Sequence, residues 1–470
     1  MLEGLEVSEI SYSQCAAKER FDAESQSKAE TKLTKTLKRV ACDDLERIAN
    51  VSDGNHLSIA EDFSSTEGVR YLRGQDISSS MTLDDGNPVF IPENEYEKLS
   101  RSHIVENDVL VTIVGANTGM TALVTNPPKK LTANCKLGIL RTYSSTKVSP
   151  AYLHAFLAGT YGQYQIHHSK RGGGQTGLIL PDLRALKIAR FSEQFETYVS
   201  DCSLKAHASK RSALKAISEA EVVFLRALGL ENWQVPKPIS YVRNSLGAFA
   251  TGRLDAEYFQ PKYAKLIELI ESTGQSSPLT NLLQTNQRGK QPEYSESGLP
   301  VVNSKHVVNG EVRVDADNRY AISSESSLLI EPGDVLINGT GVGTIGRGAP
   351  YLHPSKAIPD NHVTILRPHK GSIDPVYLAV FLNSLAGQLQ VEQRFRGSSG
   401  QIELYPNDIA QFTIWVAPEN IQAQVRQSVE ASFQAKQRAT QLLDAAKRAV
   451  EIAIEDSEAA ALAYLEASNP

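Results

Sequence analysis

Sulfur and tryptophan are scarce in this chain, with four cysteines, three methionines and two tryptophans in 470 residues. Cys15, Cys42, Cys135 and Cys202 are scattered without a C-x-x-C pair, which excludes a cysteine-based zinc site and fits reduced thiols. There is no basic excess; the net charge of −6 argues against a surface coated in cations. No run approaches the roughly 18 apolar residues of a membrane span, and the N-terminus lacks an apolar secretory core. A soluble, cytoplasmic protein with no membrane partner is expected. No His/Asp/Glu set has metal-ligand spacing and no G-x-S-x-G elbow occurs, so neither a metal site nor a catalytic site is expected.

Charge is nevertheless uneven. The tail after Arg448 carries Glu451, Glu455, Asp456, Glu458 and Glu466 with no basic residue, whereas Lys170, Arg171, Arg184, Lys187 and Arg190 cluster against Asp182 alone. Local basic patches therefore remain compatible with the acidic total.

What the chain has is a repeat. Ile10-Ser11-Tyr12 and Arg20-Phe21-Asp22-Ala23-Glu24 return as Ile239-Ser240-Tyr241 and Arg253-Leu254-Asp255-Ala256-Glu257. Asn107-Asp108-Val109-Leu110 returns as Gly333-Asp334-Val335-Leu336, each leading into a Gly-rich turn, Gly115–Gly119 and Gly341–Gly346. Pro150, Tyr152, Leu153, Phe156, Leu157, Gly162, Gln163, Gln165, Arg171 and Gly172 all recur 225 residues later, and Pro181 recurs as Pro406. A near-constant offset over so many positions marks a duplication.

Each half closes on a long helix. Phe195, Val199, Ala213, Ile217, Ala220, Phe224 and Ala227 match Ile421, Val425, Ala439, Leu443, Ala446, Val450 and Ala453 at an offset of 226. From Ala213 and from Ala439 the steps run four, three, four, three, the seam of a coiled coil that needs a partner helix. Short β-branched strands are expected at Val109–Val114, Gly138–Thr142, Val335–Asn338 and Val363–Pro368. One proline-led helix is expected in each half, near Pro150–Tyr161 and Pro375–Gln390. The segment Leu230–Pro238 reads as the junction. Two helices of roughly 35 residues would extend about 50 Å and, laid antiparallel, would give the chain a pseudo-twofold axis suited to duplex DNA.

Three tempting motifs fail. Gly341-Val-Gly343-Thr-Ile-Gly346 fits G-x-G-x-x-G, but Pro350 and Pro354 block the helix that must follow it. Asn126-Pro127-Pro128 lacks the following aromatic residue of an adenine-holding loop. His167 and His168 are adjacent and face about 100° apart on a helix.

The order, spacing and duplication resemble the specificity subunits of type I restriction–modification enzymes over nearly the whole chain. The pieces that carry the likeness are Gly333-Asp-Val-Leu-Ile337 with its turn, Asn361-His-Val-Thr-Ile-Leu-Arg367, and Arg396-Gly-Ser-Ser-Gly-Gln-Ile402 before Pro406. The first half departs from it, with Asn107 for the glycine and Arg171-Gly-Gly-Gly-Gln-Thr-Gly177 for the serine-bearing loop. The resemblance implies an α+β fold of two tandem target-recognition domains, each followed by a long helix, the helices forming an antiparallel coiled coil with pseudo-twofold symmetry. The segments would be 1–32 (N-terminal), 33–190 (first domain), 191–232 (central helix), 233–262 (linker with the repeated N-terminal segment), 263–415 (second domain) and 416–470 (C-terminal helix).

Each domain would then read half of a split sequence in double-stranded DNA. The helices would dock two copies of a modification subunit that methylates adenine, with translocating restriction subunits as further partners. S-adenosylmethionine would belong to that partner, leaving this chain non-catalytic and without a cofactor. Polar side chains on loops beside the glycine turns suit base and phosphate contacts. In the first half these are Arg73, Gln75, Asn117, Thr118, Lys170, Arg171, Gln175 and Thr176. In the second they are Asn303, Lys305, His306, Asn338, Thr340, Arg347, Arg396, Ser398, Ser399 and Gln401. Arg171 and Arg396, each entering its loop as Arg-Gly, could instead pair with a carboxylate under the loop. The alternatives to DNA recognition are a self-contained S-adenosylmethionine-dependent DNA methyltransferase and a duplicated protein-binding scaffold.

Overall fold

The structure, a computed structural model, describes residues 28–59, 63–64, 67–78, 81–83, 88–171, 177–308, 310–314, 318–324, 328–397 and 402–468. The repeated motifs at Ile10–Tyr12 and Arg20–Glu24 lie outside them. Contacts divide the chain into two compact units, Met1–Arg211 with Lys436–Pro470, and Ser212–Ala435.

Unit 1 is built on a four-stranded antiparallel sheet. Its spatial order is Ala49–Asp53, Leu137–Thr142, Val109–Thr112, Thr121–Leu123. Unit 2 repeats that order with Leu283–Arg288, Val363–Pro368, Val335–Asn338 and Gly348–Pro350. Smaller elements repeat too: Cys42–Asp44 pairs Lys187–Ala189 in unit 1, and Ser276–Pro278 pairs Thr413–Trp415 in unit 2. A second small sheet in each unit holds one parallel pair, Val69–Leu72 on Leu131–Ala133 and Leu299–Val302 on Ile358–Pro359. The duplication read from the sequence is therefore a duplication of topology.

The expected strands are present, two of them with the expected ends (Val335–Asn338 and Val363–Pro368). Each expected proline-led helix is in fact two. Pro150–Ala158 breaks at Gly159 before Thr160–His168, and Pro375–Asn383 breaks at Ser384 before Leu385–Arg394. Gly159 and Ser384 are both extended, with ψ of 174° and 170°, which ends the helical ladder. Ser149 and Asp374 cap the first helix of each pair, accepting backbone N–H groups of Ala151 and of Val376 and Tyr377. The turn before the central strand explains the Asn107 substitution: Asn107 has φ +70° where Gly333 has φ +91°, and asparagine is among the few residues that enter this region readily.

The long helices run Glu193–Leu228 and Glu419–Glu455. The second has about the expected length, but the segment 416–470 holds two helices and not one, because Ser457 caps a separate helix, Glu458–Ser468. Within unit 1 the two helices are antiparallel: Ser192 donates to Glu458 at one end, and Ala206 packs on Leu442 and Leu443 further along. Phe195, Val199 and Cys202 join Ala446, Ala449 and Val450 in the core beneath Tyr152 and Phe156. Within unit 2, Ser432 donates to the Ala213 carbonyl, and Ala220 and Phe224 share a core with Val425 and Val429. Phe224 meets Phe381 edge-on at 5.6 Å, a geometry that adds to simple burial. Most seam positions are buried as the spacing predicts; Ile217, Ile421 and Ala439 are half-buried, and Ala227 is exposed near the helix end.

Two histidines inside unit 1 give the fold a pH dependence. His154 is fully buried with its ring 5.4 Å from that of His207, and Nδ1 of one and Nε2 of the other have no hydrogen-bond partner. Burial, with the neighbouring His207, pushes His154 down to about 3; burial, with Lys210 and Arg211, pushes His207 down to about 4. Both are neutral in the folded state, while in the unfolded chain they take up protons below about pH 6.5. Stability is thus complete above that pH and is lost as pH falls toward the folded values. Unfolding by urea at pH 5 is expected to need about 3 kcal/mol less than at pH 7. A flat profile over that range would refute the burial of the pair, and His154→Gln should remove roughly half of the slope.

Candidate nucleic-acid interface

In each unit three loops meet at the end of the four-stranded sheet. In unit 1 the glycine turn is tied to the Arg171 loop by a bridge between Val114 and Gly177, and Arg171 pairs Gly177 in turn. The loop at Arg73–Ile77 joins them: Thr112 Oγ1 donates to the Gly74 carbonyl and Asn117 Nδ2 to the Ile77 carbonyl. In unit 2, Thr340 and Arg396 each bridge Glu403, and Asn338 Nδ2 donates to the Ser304 and Val307 carbonyls. Segments up to about a hundred residues apart thus form one surface per unit.

The structure places the expected contact residues unevenly on these surfaces. Gln75 and Lys305 are exposed; Asn117, Lys170, Asn303 and Thr340 are half-buried. Lys170 lies beside Gly119, and its partial burial lowers its pKa. Arg73 is turned onto Asp76, which also caps its backbone N–H. Thr118 is buried, with its hydroxyl on the Gly115 carbonyl. Asn338 and His306 are buried as well, Asn338 with its amide spent on the loop carbonyls, so neither side chain reaches the surface. Thr340 bonds the His362 ring. Arg347 lies elsewhere, in a cleft against the helices of unit 2. Gln175, Thr176, Ser398, Ser399 and Gln401 lie outside the described residues.

Arg171 and Arg396 do meet carboxylates under their loops. Arg171 grips Asp182 through Nε and Nη2 at 2.7 Å each, and Arg396 Nη2 lies 2.9 Å from Asp408 Oδ1. Both guanidinium groups are still substantially exposed, Arg396 at 61%. Each can hold its carboxylate and present its remaining N–H groups outward.

Two cations were missed by sequence reading. Arg288 donates to the Gly339 carbonyl at the root of the second glycine turn and lies over the Tyr405 ring. Lys136 is exposed with its Cβ near Gly74. Lys136 sits in the Asn-Cys-Lys turn before a strand, and no periodic signal marks that position.

Among the described residues no group of three or more His, Cys, Asp or Glu side chains is placed to hold a metal ion. No described helix is long and apolar enough to cross a membrane.

No protein-family model and no curated protein matches the sequence. Solved structures do. The chain is similar to S subunits of type I restriction–modification systems. The S subunit from M. genitalium shares 12% identity at a TM-score of 0.42, over 88% of this chain and 95% of that one. The HsdS subunit from Thermoanaerobacter tengcongensis shares 15% identity at a TM-score of 0.26, over 91% and 96%. A chain solved in work on assembly and conformational transition of the type I system shares 15% identity at a TM-score of 0.29, over 87% and 97%.

Proposed function

We propose that this chain is the specificity subunit of a type I restriction–modification enzyme, reading a two-part DNA sequence with one loop cluster per unit. One observation carries the reading: a scaffold that is the same in both units presents loops that differ. Asp108 and Asp334, Arg141 and Arg367, Tyr152 and Tyr377, and the paired glutamines are identical, and each is committed to internal contacts. The turns of the loop clusters diverge, Arg73-Gly-Gln-Asp against Asn303-Ser-Lys-His and Ala116-Asn-Thr against Val342-Gly-Thr, with Gln75, Ala116, Lys305, Val342 and Gly343 exposed. Two different readers on one frame suit a target whose halves differ. Base contacts by Gln75, Asn117 and Asn303 and phosphate contacts by Lys170, Lys305, Arg171 and Arg396 fit the chemistry of the major groove and backbone. The long helices would dock the modification subunits, which would bring S-adenosylmethionine; this chain would add recognition and no chemistry of its own.

Arg396 provides the test. Removing it alone leaves the largely buried Asp408 without its partner, so loss of binding and loss of fold would be confounded. Arg396→Ala combined with Asp408→Asn removes both charges. This double variant is expected to stay within about 1 kcal/mol of the parent in stability, because no buried charge is left stranded, while binding target DNA about tenfold more weakly. Unchanged binding in a gel-shift titration with the assembled enzyme would overturn the role.

A further inference from the structure

Unit 1 plugs a site that unit 2 leaves open. In unit 1 a tight turn closed by the Ile77–Leu83 bridge carries Met81 at φ +56°. The methionine enters the angle between the sheet, the helix Pro150–Ala158 and the long helices. Its sulfur accepts the Thr121 N–H at 3.2 Å, its carbonyl meets His154 Nε2 at 3.2 Å, and its side chain packs on Ala206, Leu442 and Leu443. Lys210 then holds the turn through Thr82 Oγ1 and the Leu83 carbonyl.

The same place in unit 2 is a cleft of about 440 Å³. The correspondence follows from register. Thr121 faces Val111 as Gly348 faces Ile337; His154 matches Ala379, and Leu443 matches Ile217. Ala379 and Ile217 line the cleft, together with Val376, Val380 and Val429. Two substitutions open it. Ala379 lacks the imidazole that His154 supplies. The turn that should deliver the plug, between Val307–Val308 and Glu311–Val312, carries Gly310 at φ +75° in place of Met81. A Cβ built on Gly310 would meet only the Asn383 amide, at 3.8 Å. Asn383 has meanwhile taken over the strand N–H that the Met81 sulfur captures in unit 1, accepting from Gly348 N at 2.9 Å.

We infer that the unit 2 cleft receives from a different polypeptide, not a second copy of this chain, what Met81 supplies within unit 1: an unbranched apolar side chain at the tip of a tight turn. The lining chemistry fits this occupant. The walls are largely aliphatic, with Ser218, Asn383, Ser384 and Gln388 among them, and Arg347 and Glu221, which also line the cleft, supply a donor and an acceptor for the main chain of an incoming turn. The assignment stands apart from the DNA reading, because it uses none of the loop surfaces. It makes the two units unequal at this pair of corresponding sites, where, among the described residues, unit 1 is plugged and unit 2 is open.

The test uses the full chain and the acetylated, amidated hexapeptide Ser-Ser-Ser-Met-Thr-Leu, the sequence of residues 78–83, labelled with 13C at the methionine methyl. The methyl resonance is expected to shift on titration, with a dissociation constant on the order of 1 mM. Gly310→Met should abolish the shift by plugging the cleft from within; Met81 itself shows that such a turn holds methionine at positive φ. Val380→Asp, a half-buried wall position, should abolish it independently by making the wall polar. Absence of a shift with the parent chain, or its persistence in both variants, overturns the proposal. So does a concentration-dependent dimer of the parent that Gly310→Met dissolves, since the occupant would then be another copy of this chain.

Discussion

Replacing Gly387 by alanine is expected to destabilise the protein by about 4 kcal/mol, and Gly162→Ala by a similar amount. Helix propensity alone predicts the opposite, because alanine is favoured over glycine by about 1 kcal/mol inside a helix. Contact decides the sign. A Cβ on Gly387 would stand 2.3 Å from the Leu382 carbonyl oxygen and 2.5 Å from its Cα, and one on Gly162 would stand 2.3 Å from the Phe156 carbonyl oxygen. These obstacles are backbone of the preceding helix, so neither rotamer change nor side-chain swing relieves them. The glycine is what lets the second helix fold back on the first. Its neighbour Gln388 then reaches the Leu382 and Gly346 carbonyls, as Gln163 reaches those of Leu157 and Gly119. Chemical denaturation followed by circular dichroism measures the effect, and a loss below about 1 kcal/mol would mean the helices can part at little cost.

The second large effect is expected from Arg141→Ala, at about 3 kcal/mol, with Arg367→Ala its counterpart in unit 2. Asp108 has no exposed surface, and its carboxylate is held by Arg141 Nε at 2.7 Å and Nη2 at 2.8 Å. Asp334 is gripped by Arg367 at 2.6 Å and 2.8 Å in the same way. Without the arginine, the buried carboxylate keeps one backbone donor, from Val105 or Glu331. Removing both charges should cost far less than removing one, because the stranded ion and not the lost attraction dominates. Asp108→Leu with Arg141→Met is therefore expected to recover most of the stability in the same denaturation measurement. If the double variant is no better than Arg141→Ala, packing of the arginine stem is the larger contribution.

The sequence made the scaffold legible because the scaffold is written twice. Strands at Val335–Asn338 and Val363–Pro368, the proline-led helices and the helical seam all emerge from periodicity plus repetition. Three features escaped. The break at Gly159 and Ser384 depends on how closely Gly162 and Gly387 approach the preceding helix, which is a tertiary contact. A carboxylate beneath Arg171 and Arg396 was legible as an alternative, but which one was not: Asp182 and Asp408 lie on short helices eleven and twelve residues downstream, Leu180–Arg184 and Pro406–Ile409, with no spacing rule to link them. Met81 gave no signal, since a methionine at positive φ is rare and its turn partner is glycine. The candidate site was legible as a set of loops, but not side chain by side chain. Asn338 looked like a reader and is a brace, because polar residues at strand ends serve both roles.

The paired glutamines carry a consequence for how such a protein can change. Gln163, Gln165, Gln388 and Gln390 bond main-chain atoms, as do the Tyr152 and Tyr377 hydroxyls. Main-chain atoms are present whatever residue occupies a position, so these clasps keep their grip while loop side chains are replaced. A duplicated gene of this kind can rewrite the surface of one half at little structural risk to either, and novelty then needs only new loops, not a new frame.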